Sequence, residues 1–263
     1  DSEINPQKEW YAENTINTKI TVRDTGSGVD PNSLEVRIST SGPADFGQWM
    51  PIDPENIGES GEDGFEISVT FSYTEGFDNY IMFRGTDIVG NPFSVSDKFN
   101  LKIDTSPVYF SSFTPDENDY AAQKKVECFI QIFDDGSGVD TSTVEYSIAK
   151  GAGDDEKNFG PWKKAGNVVN GNPTQVLLEL EFDWGPHNYI RWRADDIMAT
   201  GYNISKPYRV WVNSKPEPVI STPHQGSYFR YDHEIIFDAS GSSDEDGDNL
   251  SYYWSSNVSA NHS

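Results

Sequence analysis

The chain has 263 residues, with 43 acids against 19 bases and a net charge of −24, so it repels the phosphate backbone of nucleic acid and offers no basic patch to hold one. Hydrophobic residues make up 35% and include 7 Trp, 13 Tyr and 15 Phe, which is enough for packed cores and too aromatic for a disordered polymer. Its one cysteine, Cys128, excludes an internal disulfide and a thiolate cage, and no run of about 20 apolar residues exists to span a bilayer.

The first residues, Asp1 to Pro6, have neither the basic start nor the apolar stretch of a signal peptide. Alternation of apolar and polar residues then begins at Ile16, Thr18, Ile20 and Val22 and predicts a strand with one face on a core. A glycine-rich turn, DTGSGVD from Asp24, leads into a second strand at Leu34, Val36 and Ile38. Next comes FGQW, Phe46–Trp49, on an expected hairpin. The stretch 53–66 holds six acids and no base, with glycines at 58, 61 and 64, and reads as an exposed, mobile loop that could dock a partner. Strands follow at Ile67–Tyr73, around Asn79–Phe83 and at Phe99–Asp104, where Thr105-Ser106-Pro107 ends the pairing.

The same order then recurs. DDGSGVDTSTVEYSIA from Asp134 matches DTGSGVDPNSLEVRIS from Asp24 at eight of sixteen positions. FGPW (Phe159–Trp162) answers FGQW, NYIRWRADDIMAT from Asn188 answers NYIMFRGTDIVGN from Asn79, and the strand ending at Asn213 answers the one ending at Asp104. Val126, Cys128, Ile130 and Ile132 repeat the first strand, and Val176, Leu178, Leu180 and Phe182 repeat the strand at Ile67. A duplicated unit of short strands without an amphipathic helix implies two facing antiparallel sheets per copy, since a single sheet would leave its apolar face wet. The expected fold is therefore all-β: tandem antiparallel sandwiches over 1–106 and 107–214, set end to end by short proline-terminated joints, then a partial β-domain over 215–263.

Each copy resembles a bacterial or archaeal immunoglobulin-like repeat of the kind strung along surface proteins and secreted enzymes. The likeness rests on D-x-GSGVD before a strand, the tryptophan hairpin and the Asp87–Asn91 stretch; the second copy departs from the last element, with Ala199 and Thr200 there. The tail, EIIFDASGSSDEDGDNLSYYWSS from Glu234, is similar to the start of a polycystic-kidney-disease (PKD) domain, and Leu250, Tyr252 and Trp254 alternate as a buried strand face would. Such a domain runs to about 80 residues, so the likeness implies that the true protein continues.

Two readings stand open at the acidic turns. Asp24, Asp30 and Asp87, with Asp134, Asp140 and Asp196, could converge at one end of each sandwich and hold calcium, which favours clustered carboxylates and loop carbonyls. Alternatively the first Asp caps a turn and the glycines supply positive φ. Asp244, Asp246 and Asp248 resemble the opening of a calcium loop but lack the glycine and glutamate of an EF-hand, having Asn249 and Ser255 instead. Trp49 and Trp162 either stack on sugars or pack internally. Asn203, Asn249, Asn257 and Asn261 open Asn-x-Ser glycosylation sequons. No G-x-S-x-G or H-E-x-x-H motif is present, and the four histidines form no ligand spacing, so no catalytic residue is expected. The sequence reading is a non-catalytic structural or adhesive spacer of an extracellular or cell-surface protein, or else accessory modules of a secreted hydrolase. Its expected partners are other domains of the same protein and a surface protein or polysaccharide, with no cofactor expected beyond calcium at the acidic turns.

Overall fold

The computed structural model describes residues 4–5, 9–58 and 64–255. The first sandwich contains β1 (Ile4–Asn5), β2 (Thr15–Val22), β3 (Glu35–Ser39), β4 (Met50–Pro51), β5 (Phe65–Ser72), β6 (Gly76–Gly85), β7 (Ser94–Val95) and β8 (Phe99–Ile103). One sheet has the order β1-β2-β5; the other runs β4-β3-β6, with β7 and β8 both on the far side of β6. The chain passes from one sheet to the other and back, which is the Greek-key connection of immunoglobulin-like sandwiches.

The second sandwich contains β9 (Tyr109–Thr114), β10 (Tyr120–Ala121), β11 (Lys125–Phe133), β12 (Glu145–Ala149), β13 (Lys163–Lys164), β14 (Val168–Val169), β15 (Thr174–Glu181), β16 (Gly185–Ala194), β17 (Asn203–Ile204) and β18 (Tyr208–Val212). Its sheets have the orders β14-β15-β11-β9 and β10-β18-β16-β12-β13, with β17 added to β16. The leading segment thus starts on one sheet, as β9 against β11, and finishes on the other, as β10 parallel to β18. The first copy makes the same crossing through a parallel bridge from Tyr11 to Ile103.

The period of two sets both cores. On β2 and β5 the inward pairs are Ile16 with Phe71, Thr18 with Val69 and Ile20 with Ile67. On the outer face Lys19 reaches Glu66 at 2.9 Å and Asn17 donates to Thr70 at 2.9 Å. The second copy repeats the register, with Cys128 opposite Leu178 and Ile130 opposite Val176. Ile67, Ile81 and Ile103 are fully buried in the first core, and Phe182, Trp192 and Ile190 in the second. Each such side chain contributes about 1.5–3 kcal/mol of burial.

A buried asparagine shapes the β5–β6 turn and its counterpart. Asn79 accepts from the Thr74 N–H at 3.0 Å and donates to the Thr74 carbonyl at 2.8 Å. Asn188 does the same with Asp183, at 3.1 and 2.8 Å. Each sits where the register with the last strand shifts, so its side chain replaces the ladder bonds lost at the bulge.

Beyond Val212 the architecture thins. Residues 215–255 form two isolated antiparallel bridges, Glu217 to Ser243 and Thr222 to Asp238. The alternation at Leu250, Tyr252 and Trp254 does not become a buried strand face here. Tyr252 is 52% and Trp254 45% exposed, and Phe237 is the aromatic ring against Trp254. Alternation builds a face, but the described part of this segment supplies no second sheet to cover it. Of the acidic stretch 53–66, residues 54–56 form a short 3-10 turn and Ile57 bridges to Ile67, while 59–63 lie outside the described residues. No helix among the described residues is long and apolar enough to cross a membrane.

Candidate metal centre at the joint between the sandwiches

The two D-x-GSGVD turns have one local structure. Asp24 accepts the N–H groups of Gly26 and Gly28 at 3.2 and 2.7 Å, and Asp134 accepts those of Gly136 and Gly138 at 3.0 and 2.6 Å. Gly28 and Gly138 lie at φ +91° and +100°, a region that L side chains rarely adopt. Asp30 and Asp140 cap the next turn, accepting from Asn32 and Ser142 N–H groups at 3.0 and 2.9 Å. The bridges Val29–Asp87 and Val139–Asp196 tie each turn to the end of β6 or β16. Asp134 and Asp196 bring carboxylate oxygens together and Asp24 and Asp87 line one groove, while Asp30 and Asp140 cap the following turn.

The copies differ in what reaches this turn from outside. Asp104 follows β8, and its N–H is held by the Tyr11 carbonyl at 2.9 Å, which anchors its backbone to the first sandwich. Its carboxylate crosses the joint and accepts the Ser137 N–H of the second sandwich at 2.7 Å. Asp104, Asp134 and Asp196 are all buried, and one carboxylate oxygen of each lies within 4.8 Å of the others. A charged pair at that separation repels by about 3–4 kcal/mol in a partly screened protein interior. Among the described residues no lysine, arginine or histidine pairs with them. Asp104 Oδ1, Asp134 Oδ2 and the Ser137 hydroxyl are buried without any hydrogen-bond partner. Burial pushes the Asp134 carboxyl above its ordinary range, and the charges of Asp104 and Asp196 add to that, against the N–H bonds of Gly138 and Gly136. In the first copy, bonds from the Asn91 backbone and side chain hold the carboxyl of Asp87, the counterpart of Asp196, below its ordinary value.

The linker itself is seated in the second sandwich. Val108 is fully buried in that core, and its carbonyl accepts from Asn203 at 2.7 Å. In the first sandwich a groove of about 410 Å³ opens beside Ile20, Val22, Phe83 and Ser94, the counterparts of Ile130, Ile132, Trp192 and Asn203. Asp104 was not singled out as a candidate from sequence. The signal available was an acid at the first joint where the second copy has Asn213.

At the second joint, Asp244, Asp246 and Asp248 also bring carboxylate oxygens within 4.8 Å of one another. Asp246 accepts the Ser214 N–H at 2.6 Å, and the Ser214 hydroxyl donates to Asp244 at 3.1 Å. This group is only partly buried. Burial and the neighbouring Asp244 push the Asp246 carboxyl up, whereas the bond from Asp246 holds Asp244 down.

Trp49 and Trp162 are half-buried, with guanidinium groups over their rings: Arg37 and Arg84 at 4.4 and 4.5 Å, and Arg191 and Arg193 at 4.8 and 4.6 Å. Phe46 and Phe93 extend the first ladder, Phe159 and Tyr202 the second. Each contact contributes about 0.5–2 kcal/mol. Arg84, Arg191 and Arg193 were invisible as partners in sequence because they project from β6 and β16, distant from the hairpins, whereas Arg37 stands on β3, the first arm of the Trp49 hairpin itself. Asn249 is exposed and the Asn203 amide is engaged as described, while Asn257 and Asn261 lie outside the described residues.

The sequence matches no protein-family profile, and no curated protein is similar to it. Several solved structures overlap it loosely. A DUF3823 family protein from Bacteroides ovatus shares 16% identity over 75% of this chain and 98% of its own, with a TM-score of 0.30. The fibronectin(III)-like modules of Clostridium thermocellum CbhA share 12% over 88% and 100%, at 0.29. Rst D1-D2 shares 13% over 81% and 99%, at 0.40. The fold is immunoglobulin-like. That statement rests on the strand order of the two sandwiches, which these overlaps accompany without adding detail.

Proposed function

We propose that the chain is a non-catalytic structural spacer within an extracellular or cell-surface protein, its sandwiches set end to end to project other parts of that protein. The observation that carries this reading is the joint: three residues, 105–107, separate Asp104, anchored to one sandwich, from the buried Val108 of the next. A linker seated in the following core limits bending in a way that a free polar linker does not. The tail belongs to this reading as the beginning of a PKD-like unit that continues the series. An acidic exterior keeps such a rod soluble and self-repelling.

Internal packing is the role of Trp49 and Trp162 in this reading, since their π-surfaces already carry guanidinium groups. Sugar stacking would require displacing those cations. The deciding experiment recovers the native protein with an antibody against the sandwiches, then maps its peptides and its cell fraction. An envelope-bound chain built mainly of similar β-repeats is the expected result. A soluble secreted chain carrying a hydrolase domain would replace the spacer reading with that of an enzyme's accessory modules.

A further inference from the structure

We propose that Asp104, Asp134 and Asp196 bind one calcium ion that fastens the first sandwich to the second. Two independent features meet at this place. Three buried carboxylates converge with no lysine, arginine or histidine pairing with them among the described residues, and two of their buried oxygens, Asp104 Oδ1 and Asp134 Oδ2, lack any hydrogen bond. The large majority of buried side-chain polar atoms are satisfied, so two orphaned carboxylate oxygens in one group mark a missing partner that is positive.

The donor set selects the ion. All the available atoms are oxygens, with no histidine or cysteine in the group, which favours a hard cation over zinc or copper. Calcium takes about 6–8 oxygens in flexible geometry and accepts carboxylates together with loop carbonyls, whereas magnesium demands a near-ideal octahedron and holds on to its waters, so an all-oxygen group of three buried carboxylates suits the larger ion. Gly136 makes the approach possible, because a Cβ there would fall 2.4 Å from Asp104 Cγ.

The ligands come from both sides of the joint. Asp104 is tied to the first sandwich through Tyr11, and Asp134 and Asp196 belong to the second, so one ion makes the sandwiches mutually dependent. The first copy serves as an internal comparison: Asp24 and Asp87 have no third carboxylate among the described residues, and their oxygens are taken up by Gly26, Gly28 and Asn91. The metal site stands on geometry alone; its use as a stiffener rests on the spacer reading.

The test is calorimetric titration of the full chain with calcium chloride, after EDTA treatment, for wild type, Asp104→Asn and Asp24→Asn. The expected result is a saturable site in wild type and Asp24→Asn, weakened at least tenfold in Asp104→Asn, with magnesium binding more weakly. Folding of Asp104→Asn is checked by its melt in EDTA, which should match wild type or exceed it because one buried charge is gone. Equal calcium binding by wild type and Asp104→Asn, or none by wild type at 10 mM, overturns the site. X-ray scattering of the same samples then tests the fastening. A narrower spread of dimensions with calcium supports it, and calcium binding with unchanged scattering overturns the fastening while leaving the site.

Discussion

Gly136 and Gly26 occupy the same position in the two repeats, and adding one methyl group to each separates the joint from the turn. Neither glycine adopts a left-handed backbone, so alanine costs nothing in φ at either site. At Gly26 the new Cβ would find its nearest neighbour, Asp24 Oδ2, at an ordinary 3.5 Å. At Gly136 it would meet Asp104 Cγ, Oδ1 and Oδ2 at 2.4, 2.6 and 2.7 Å. Gly26→Ala should therefore be neutral or stabilise by about 0.4–1 kcal/mol through the unfolded chain. Gly136→Ala should lose about 1–3 kcal/mol, the usual cost of overpacking, as Asp104 is driven from the Ser137 N–H. Urea denaturation followed by tryptophan fluorescence would show this as a midpoint lower by about 1 M for the second sandwich. Combining Gly136→Ala with Asp104→Ala should recover most of the loss, since the double variant no longer contains the clash. Equal midpoints for Gly26→Ala and Gly136→Ala, or strictly additive losses in the double variant, would refute the seated Asp104 carboxylate.

Three other outcomes follow from the same structure. Asn188→Ala should destabilise the second sandwich by roughly 0.5–1.5 kcal/mol for each bond lost, because the Asp183 N–H and carbonyl lose the partner that the buried Asn188 side chain gives them; a urea midpoint unchanged from wild type would count against the side-chain bridge. Burial pushes the Cys128 thiol up to about 12, so iodoacetamide at pH 8 should leave the native chain unmodified and label it only in urea. Burial alone would raise the Glu145 carboxyl, but Arg193 and Lys164 prevail and hold it below its ordinary 4.5. Its stabilising contribution is present above that value and fades as pH falls through the lower folded-state value. Melts between pH 5 and 3 should therefore decline more steeply for wild type than for Glu145→Gln, and parallel curves would show that the Arg193 pair contributes nothing.

Sequence alone determined whatever depends on neighbours along the chain. The alternation at Ile16–Val22 and Val126–Ile132 appears as β2 and β11, because a period of two presents one apolar face whichever partner it meets. The capped turns at Asp24 and Asp134 were legible for a similar reason, as an aspartate bonding N–H groups two and four residues ahead needs no distant contact. The duplication then carried each assignment from one copy to the other.

Tertiary structure decided which groups meet. Asp140 shares the turn with Asp134 yet bonds its own cap, while Asp104, thirty residues earlier, takes the third corner of the carboxylate group. Trp49 meets Arg37 across its own β3–β4 hairpin, but it meets Arg84 because β3 and β6 lie side by side, and nothing local to the hairpin encodes that second adjacency. In the tail, alternation marked an apolar face, but burial needs an opposing sheet, which periodicity does not supply. Strand periodicity and turn chemistry are short-range properties of the backbone. The convergence of charges at a joint is set by how two finished sandwiches and the chain between them come together in space.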